Sequence, residues 1–183
     1  LAASPLPEML RRPDRKAAAE LRAELDAALA EEPPASLSEG GLIARGYDDD
    51  LDEIVERHEA ALSWIEGLDD RVSTELGITH VSVDRNATDG YYVQVGNSEA
   101  DQVPDRFRQI KSLKNHERFV TEELEERERE ILRLEEERSE IERELFEEIR
   151  ETVAGHAALL QDAGRAIATV DALASLATHA AEQ

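Results

Sequence analysis

The strongest constraint in this sequence is a change of hydrophobic period along the chain. From Asp50 onward Leu51, His58, Ile65 and Val72 recur every seven residues, and Ile54/Val55, Leu62 and Leu76 form a second row. Two such rows make a coiled-coil seam, because a seven-residue repeat keeps both on one face of the helix. Gly67 interrupts the pattern at a cost of about 1 kcal/mol relative to alanine, and Gly77 stops it as a C′ glycine would. The period then drops to two. Val81 and Val83 alternate with polar neighbours, and Tyr91-Tyr92-Val93-Gln94-Val95 is rich in strand formers. Asn86 to Gly90 supplies turn chemistry between them, and Gln109–Lys114 with Glu117–Val120 reads as a further hairpin around Asn115-His116.

Helical period returns at Thr121, a natural N-cap followed by Glu122 and Glu123, whose carboxylates suit the first turn. Leu124, Ile131, Leu134, Ile141, Leu145 and Ile149 form its stripe; 14 acidic and six Arg residues over 122–150 cover its other faces. Gly155 marks a break, and His156–Ala181, rich in Ala and Leu, predicts a helix buried in a larger core. Upstream, Asp14–Ala30 reads as a helix with Leu21, Leu25 and Leu29 at four-residue spacing, Pro13 near its start and Pro33-Pro34 after its end. Ser36–Tyr47, with Gly40, Gly41 and Gly46, reads as a short extended, turn-bearing segment. The predicted class is mainly α with a small antiparallel β-sheet. Two long antiparallel helices, each about 26 residues and about 39 Å at 1.5 Å per residue, carry the sheet far from a helical base.

Composition narrows the chemistry. The formal net charge is -22 with 35% charged residues, a self-repulsion that high ionic strength screens. The acids are spread through patterned segments, which predicts a folded protein of a salty cytoplasm in preference to a disordered acidic tail. There is no cysteine, which excludes disulfides and thiolate metal sites. The five histidines lack metal-ligand spacing, and no apolar run reaches the roughly 18 residues of a membrane span. Neither a metal nor a membrane partner is expected. The ends, opening on Leu1, predict a piece of a longer polypeptide.

Four segments resemble one family. Gly40-Gly41-Leu42-Ile43-Ala44-Arg45-Gly46-Tyr47 followed by Leu51-Asp52-Glu53 is similar to the GG-x-I-x-x-GY-x-x-x-LDE motif of MutS-type DNA mismatch-repair proteins. Gly90-Tyr91-Tyr92-Val93-Gln94-Val95 resembles the GYY strand of their clamp domain. Ser112-Leu113-Lys114-Asn115-His116-Glu117-Arg118-Phe119-Val120-Thr121 resembles their TLKN-x-ERF-x-T segment, and Val170–Ala177 their LDVLASLA helix. The resemblance implies part of the core and lever base (1–50), a lever helix up (51–77), a β clamp (78–120), a lever helix down (121–153) and a core helix (154–183). It implies a region that grips duplex DNA without sequence specificity and relays motion to an ATPase domain elsewhere. In the full-length protein it implies a homodimer acting on mismatched duplex, with ATP and Mg as cofactors. No G-x-x-x-x-G-K-[ST] loop occurs in the chain, so no catalytic or cofactor-binding residue is expected within it.

Charge points to where DNA would be touched. Residues 78–120 hold six basic and six acidic residues, against 15 and 37 in the remainder. Within 106–118 five cations (Arg106, Arg108, Lys111, Lys114, Arg118) meet one acid, Glu117. A sequence-blind grip needs phosphate contacts from Lys, Arg and small amides. Lys114 and Asn115, in the hairpin turn that the resemblance sets against the backbone, are the first candidates; Lys111, Arg108 and Arg118 follow, then Arg106. Where the family has a basic pair before the TLKN segment, this chain has Gln109-Ile110. Two other readings stay open: a coiled-coil arm whose terminal sheet binds protein, and a paralogue devoted to recombination intermediates.

Overall fold

The computed structural model describes residues 14–181, so Pro13 lies outside the described residues. The elements are α1 (Arg15–Ala28), α2 (Asp49–Glu66), α3 (Leu68–Leu76), β1 (Val81–Asn86), β2 (Gly90–Gly96), β3 (Arg108–Ser112), β4 (His116–Val120), α4 (Glu122–Gly155) and α5 (Ala157–Ala181). The expected class, α plus a small antiparallel sheet, is what forms. The chain divides into two compact units, Asp48–Ile141 on one hand and Leu1–Tyr47 with Glu142–Gln183 on the other.

In the unit Asp48–Ile141, Asp48 caps α2 by accepting from the Leu51 N–H at 2.8 Å, and three further aspartates occupy the first turn. The first predicted row is buried: Leu51, Ile65 and Val72 are shielded, with the His58 side chain largely covered. The second row runs through Ala61 and Leu68 instead of Leu62 and Leu76, which are half-buried. Ala61 offers little bulk, so a neighbouring element can approach closely there. The single helix expected from Leu51 to Gly77 is two: Gly67 leaves helical geometry (φ −91°, ψ 7°) and separates α2 from α3. Gly77 ends α3 at φ 66°, the left-handed cap the sequence predicts.

The strands pair antiparallel in the order β1-β2-β4-β3. Val83 lies opposite Val93, which lies opposite Phe119. Alternation therefore sends Val93, Val95 and Phe119 to one face, into an apolar cluster with Ile65, Leu68, Val72, Ile78, Phe107, Leu124 and Ile131. Tyr91 packs against that cluster, while Tyr92 is buried on the other face beneath the Arg118 guanidinium, 4.2 Å from the ring centre. A register shift between Gln109 and Lys111 sets Lys111 opposite Arg118. The turn of the second hairpin is one residue longer than expected and lies earlier, at 113–115, since the first strand of the pair ends at Ser112 and His116 already belongs to β4.

Thr121 caps α4, its hydroxyl accepting from the Leu124 N–H at 3.1 Å. Leu124, Ile131 and Leu134 are buried, and α4 meets α2 through Arg57–Glu130 at 3.7 Å and His58–Glu135 at 3.5 Å. Trp64 lies between two guanidiniums, Arg71 at 4.7 Å and Arg127 of α4 at 5.5 Å.

In the second unit, Asp14 caps α1, accepting from the Lys16 N–H at 2.9 Å. The extended segment forms a bridge, Leu29 to Ile43, with Ala28, Ile43 and Ile149 buried. The last helix forms as expected. α5 is helical, but none of its residues is buried; Ile167 is 70% and Leu176 66% exposed. Its composition asks for an apolar cover, and among the described residues no element supplies one along its length.

Candidate nucleic-acid interface

Three turns converge at one end of the sheet. β1 starts after Thr79-His80, β2 ends at Gly96, and the β3–β4 turn spans residues 113–115. The pairing of Gly96 with His116 sets the last two side by side. Leu113 N–H donates to the His116 carbonyl at 2.9 Å and closes the hairpin. Between the turns lies an open cleft of about 590 Å³, whose lining includes His80, Asn97, Ser98, Lys114, Asn115 and His116.

The two first candidates, Lys114 and Asn115, sit together at the outermost point of this turn and are exposed. Among the described residues no carboxylate lies within ion-pair distance of Lys114. The other four cations are arranged differently. Arg106 pairs with Glu75 of α3 and Arg108 with Glu125 of α4, each at 2.5 Å. Lys111 lies 3.9 Å and Arg118 3.2 Å from the same Asp89 carboxylate. Arg118, with its side chain 18% exposed, roofs Tyr92 and is part of the fold's packing. Linear clustering in 106–118 thus resolves into one open cation at the turn and four cations already facing an acid.

The Asp89 carboxylate anchors this arrangement. It accepts from the Asn86 amide at 3.0 Å and from Arg118 at 3.2 Å. The Asn86 hydrogen bond, followed by the charges of Lys111 and Arg118, holds its pKa below the usual aspartate value against the opposing effect of burial. Glu99 does similar work near the cleft. Its carboxylate accepts from the backbone N–H of Thr79 at 3.0 Å and of His80 at 3.1 Å, and contacts the His80 ring nitrogen at 3.0 Å. The Thr79 N–H contributes most to depressing its pKa.

A family model, MutS family domain IV, matches residues 46–137, half of the chain and nearly all of the unit that carries this turn. The chain belongs to the MutS family. It is 58% identical over its whole length to DNA mismatch repair protein MutS 1 of Haloarcula marismortui, and 58% identical over 99% of its length to MutS 1 of Halobacterium salinarum. DNA mismatch repair protein MutS of Anaeromyxobacter dehalogenans is 44% identical over 89% of the chain. The chain spans about a fifth of the length of these relatives. The family expected from four short motifs is therefore the family found.

Reading a MutS chain by charge clusters alone missed Asp89, Asn97 and Glu99. Asp89 belongs to a turn that the sequence marks plainly, yet its partner Arg118 is 29 residues away. Asn97 follows Gly96, an Asn-after-Gly signal for a turn, but the carbonyls it meets belong to residues 113 and 114. Such pairings become visible only when the strands are in register.

Proposed function

We propose that Asp48–Ile141 is a non-catalytic DNA clamp and lever: it grips the duplex backbone without sequence specificity at the 113–115 turn, and its helices relay motion to an ATPase domain elsewhere in the full-length MutS polypeptide. The observation that carries the reading is the open cation of Lys114 beside the Asn115 amide on an exposed turn, in a chain of net charge -22. A phosphate needs a donor that is not already committed to a carboxylate, and Lys114 meets that requirement best. Arg106, Arg108 and Lys111 add contacts only by releasing Glu75, Glu125 or Asp89. Arg118 serves mainly to hold the sheet.

The lever reading rests on the seven-residue rows of α2 and α3 and on the α2–α4 ion pairs, a coiled-coil arrangement that is stiff along its axis. The domain limits proposed from the sequence (base to 50, lever 51–77, clamp 78–120, lever 121–153, core helix from 154) are kept, with Gly67 as a joint in the ascending arm. The apolar face of α5 is covered by other segments of the full-length protein. ATP and Mg act there as well: Gly41 and Gly46 have the phosphate-loop spacing, but Tyr47-Asp48 follows where Lys-Ser/Thr is required. Mismatched duplex as substrate, a homodimeric assembly and a salt-rich cytoplasm complete the proposal. No helix among the described residues is long and apolar enough to cross a membrane.

The test is duplex affinity of the full-length protein across a series of KCl concentrations. Lys114→Ala and Asn115→Ala each weaken binding about two- to five-fold, the worth of an exposed charge contact. Lys114→Ala also lowers the slope of log K against log salt by about 0.9. Affinity and slope indistinguishable from wild type in both variants would favour an arm that docks protein.

A further inference from the structure

We infer that Asn97 is a positioning residue for the DNA-gripping turn, holding Lys114 and Asn115 in place from the neighbouring β-turn; the inference rests on the backbone-grip reading above. Its side-chain amide donates to the Lys114 carbonyl at 3.0 Å and, more weakly, to the Leu113 carbonyl at 3.4 Å. Its own backbone N–H donates to the Asn115 carbonyl at 3.2 Å. One residue therefore engages three successive carbonyls of the turn. Carbonyls tied down on that side fix the peptide planes, so the Lys114 and Asn115 side chains start from a fixed backbone on the exposed side.

Asn97 can do this because it is itself held from behind. Gly96 N–H donates to the His80 carbonyl at 3.1 Å, and Glu99 N–H donates back to the Gly96 carbonyl at 2.9 Å. The Glu99 carboxylate then takes the N–H groups of Thr79 and His80 at the head of β1. The order of support runs from β1 through Glu99 and the 96–99 turn to Asn97, and from Asn97 to the turn at 113–115. Charge placement agrees with this division. The Glu99 carboxylate is occupied by backbone donors, whereas Asn97 brings an uncharged amide next to Lys114 and neither pairs with it nor repels a phosphate. An acid in that position would set a carboxylate against the carbonyls of Leu113 and Lys114, and an alanine would leave them without this donor. Pre-ordering matters for affinity because immobilising a long side chain and its backbone on binding costs entropy that an ordered turn has already lost.

A double-mutant cycle on duplex affinity, in the full-length protein across a KCl series, tests the assignment. Asn97→Ala weakens binding about two- to five-fold, and in a Lys114→Ala/Asn115→Ala background the same change costs less than about 1.5-fold, because its effect passes through those two residues. Hydrogen exchange by mass spectrometry supplies a second readout. Asn97→Ala speeds exchange in peptides covering 112–117 and leaves β1 unchanged. Equal losses in the wild-type and the Lys114→Ala/Asn115→Ala backgrounds, or no loss at all where Lys114→Ala is itself weakened, would overturn the positioning role while leaving the grip intact. Faster exchange across the whole of 78–120 would overturn it as well, by making Asn97 a general support of the sheet. Silence of both Lys114→Ala and Asn115→Ala would instead sink the grip reading, and the inference with it.

Discussion

Both oxygens of the Glu142 carboxylate accept from the backbone N–H of Gly41, at 2.7 and 3.0 Å, across 101 residues of sequence. Glu142 is 1% exposed, and Gly41 stands at φ 85°, a conformation open to glycine at little cost. One acid among 14 on the α4 stretch 122–150 is thus structural, and it explains part of the Gly-Gly motif. A bent glycine backbone offers its N–H to a buried carboxylate, which needs hydrogen-bond donors to be stable there. Glu142→Ala leaves the Gly41 N–H without this acceptor and destabilises the protein by about 1–3 kcal/mol, measured as a fall in the urea midpoint. A midpoint equal to wild type would remove Glu142 from the fold's polar framework.

Gly90 is required for two separate reasons. Its φ of 70° is left-handed, and a Cβ there would run into the carboxylate of Glu128. That carboxylate is held near the turn by the Tyr91 N–H at 3.3 Å and by Arg85 at 3.9 Å. Gly90→Ala should cost about 1–2 kcal/mol for backbone strain alone, with a further loss from displacing Glu128. Glu128→Ala in the same chain recovers the steric part but not the strain. Thermal melts of the single and double variants separate the two, and equal melting of all three would refute both.

Arg118 and Lys114 lie close in sequence but do different work. Arg118→Lys forfeits the flat stack over Tyr92 and part of the Asp89 contact, lowering stability by about 1 kcal/mol. Lys114→Ala leaves the melting temperature within error of wild type, since no partner of its side chain is lost among the described residues. A melt in which Lys114→Ala is the more damaging of the two would reverse this assignment.

Acid should loosen the sheet through Asp89 and Glu99. Both have pKa values depressed in the folded protein, Asp89 chiefly by the Asn86 amide and Glu99 chiefly by the Thr79 N–H. A depressed carboxylate contributes stability that is fully present above its unfolded pKa, about 3.9 for Asp and 4.3 for Glu. That contribution is lost as pH falls through the lower folded value. Urea midpoints measured downward from neutral pH should hold steady and then drop below about pH 4. Asp89→Asn should flatten part of that drop, and a drop of unchanged size would exclude Asp89 as a source.

The division between sequence and fold follows from the range of the interactions. Period and punctuation are local, so the sequence alone determined the helical character of 49–76 and 122–155, the strands between them, the Gly77 stop and the Thr121 cap. The separation of the first stretch into two helices at Gly67 came from the structure. The MutS motifs were equally legible, because each is a short run that must meet one local backbone geometry. What the tertiary structure decided are pairings between distant residues: Asn97 with the turn at 113–115, Asp89 with Lys111 and Arg118, Glu142 with Gly41. It also decided which cations stay open. Five positive charges crowded into 106–118 look equivalent in a linear count, yet strand register, the packing of α3 and the return of α4 place acids against four of them and leave Lys114 exposed. The last helix shows the same limit from the apolar side. Its composition fixed that α5 would be helical, but burial depends on a partner surface, and a helix cannot encode from its own residues whether that surface is present.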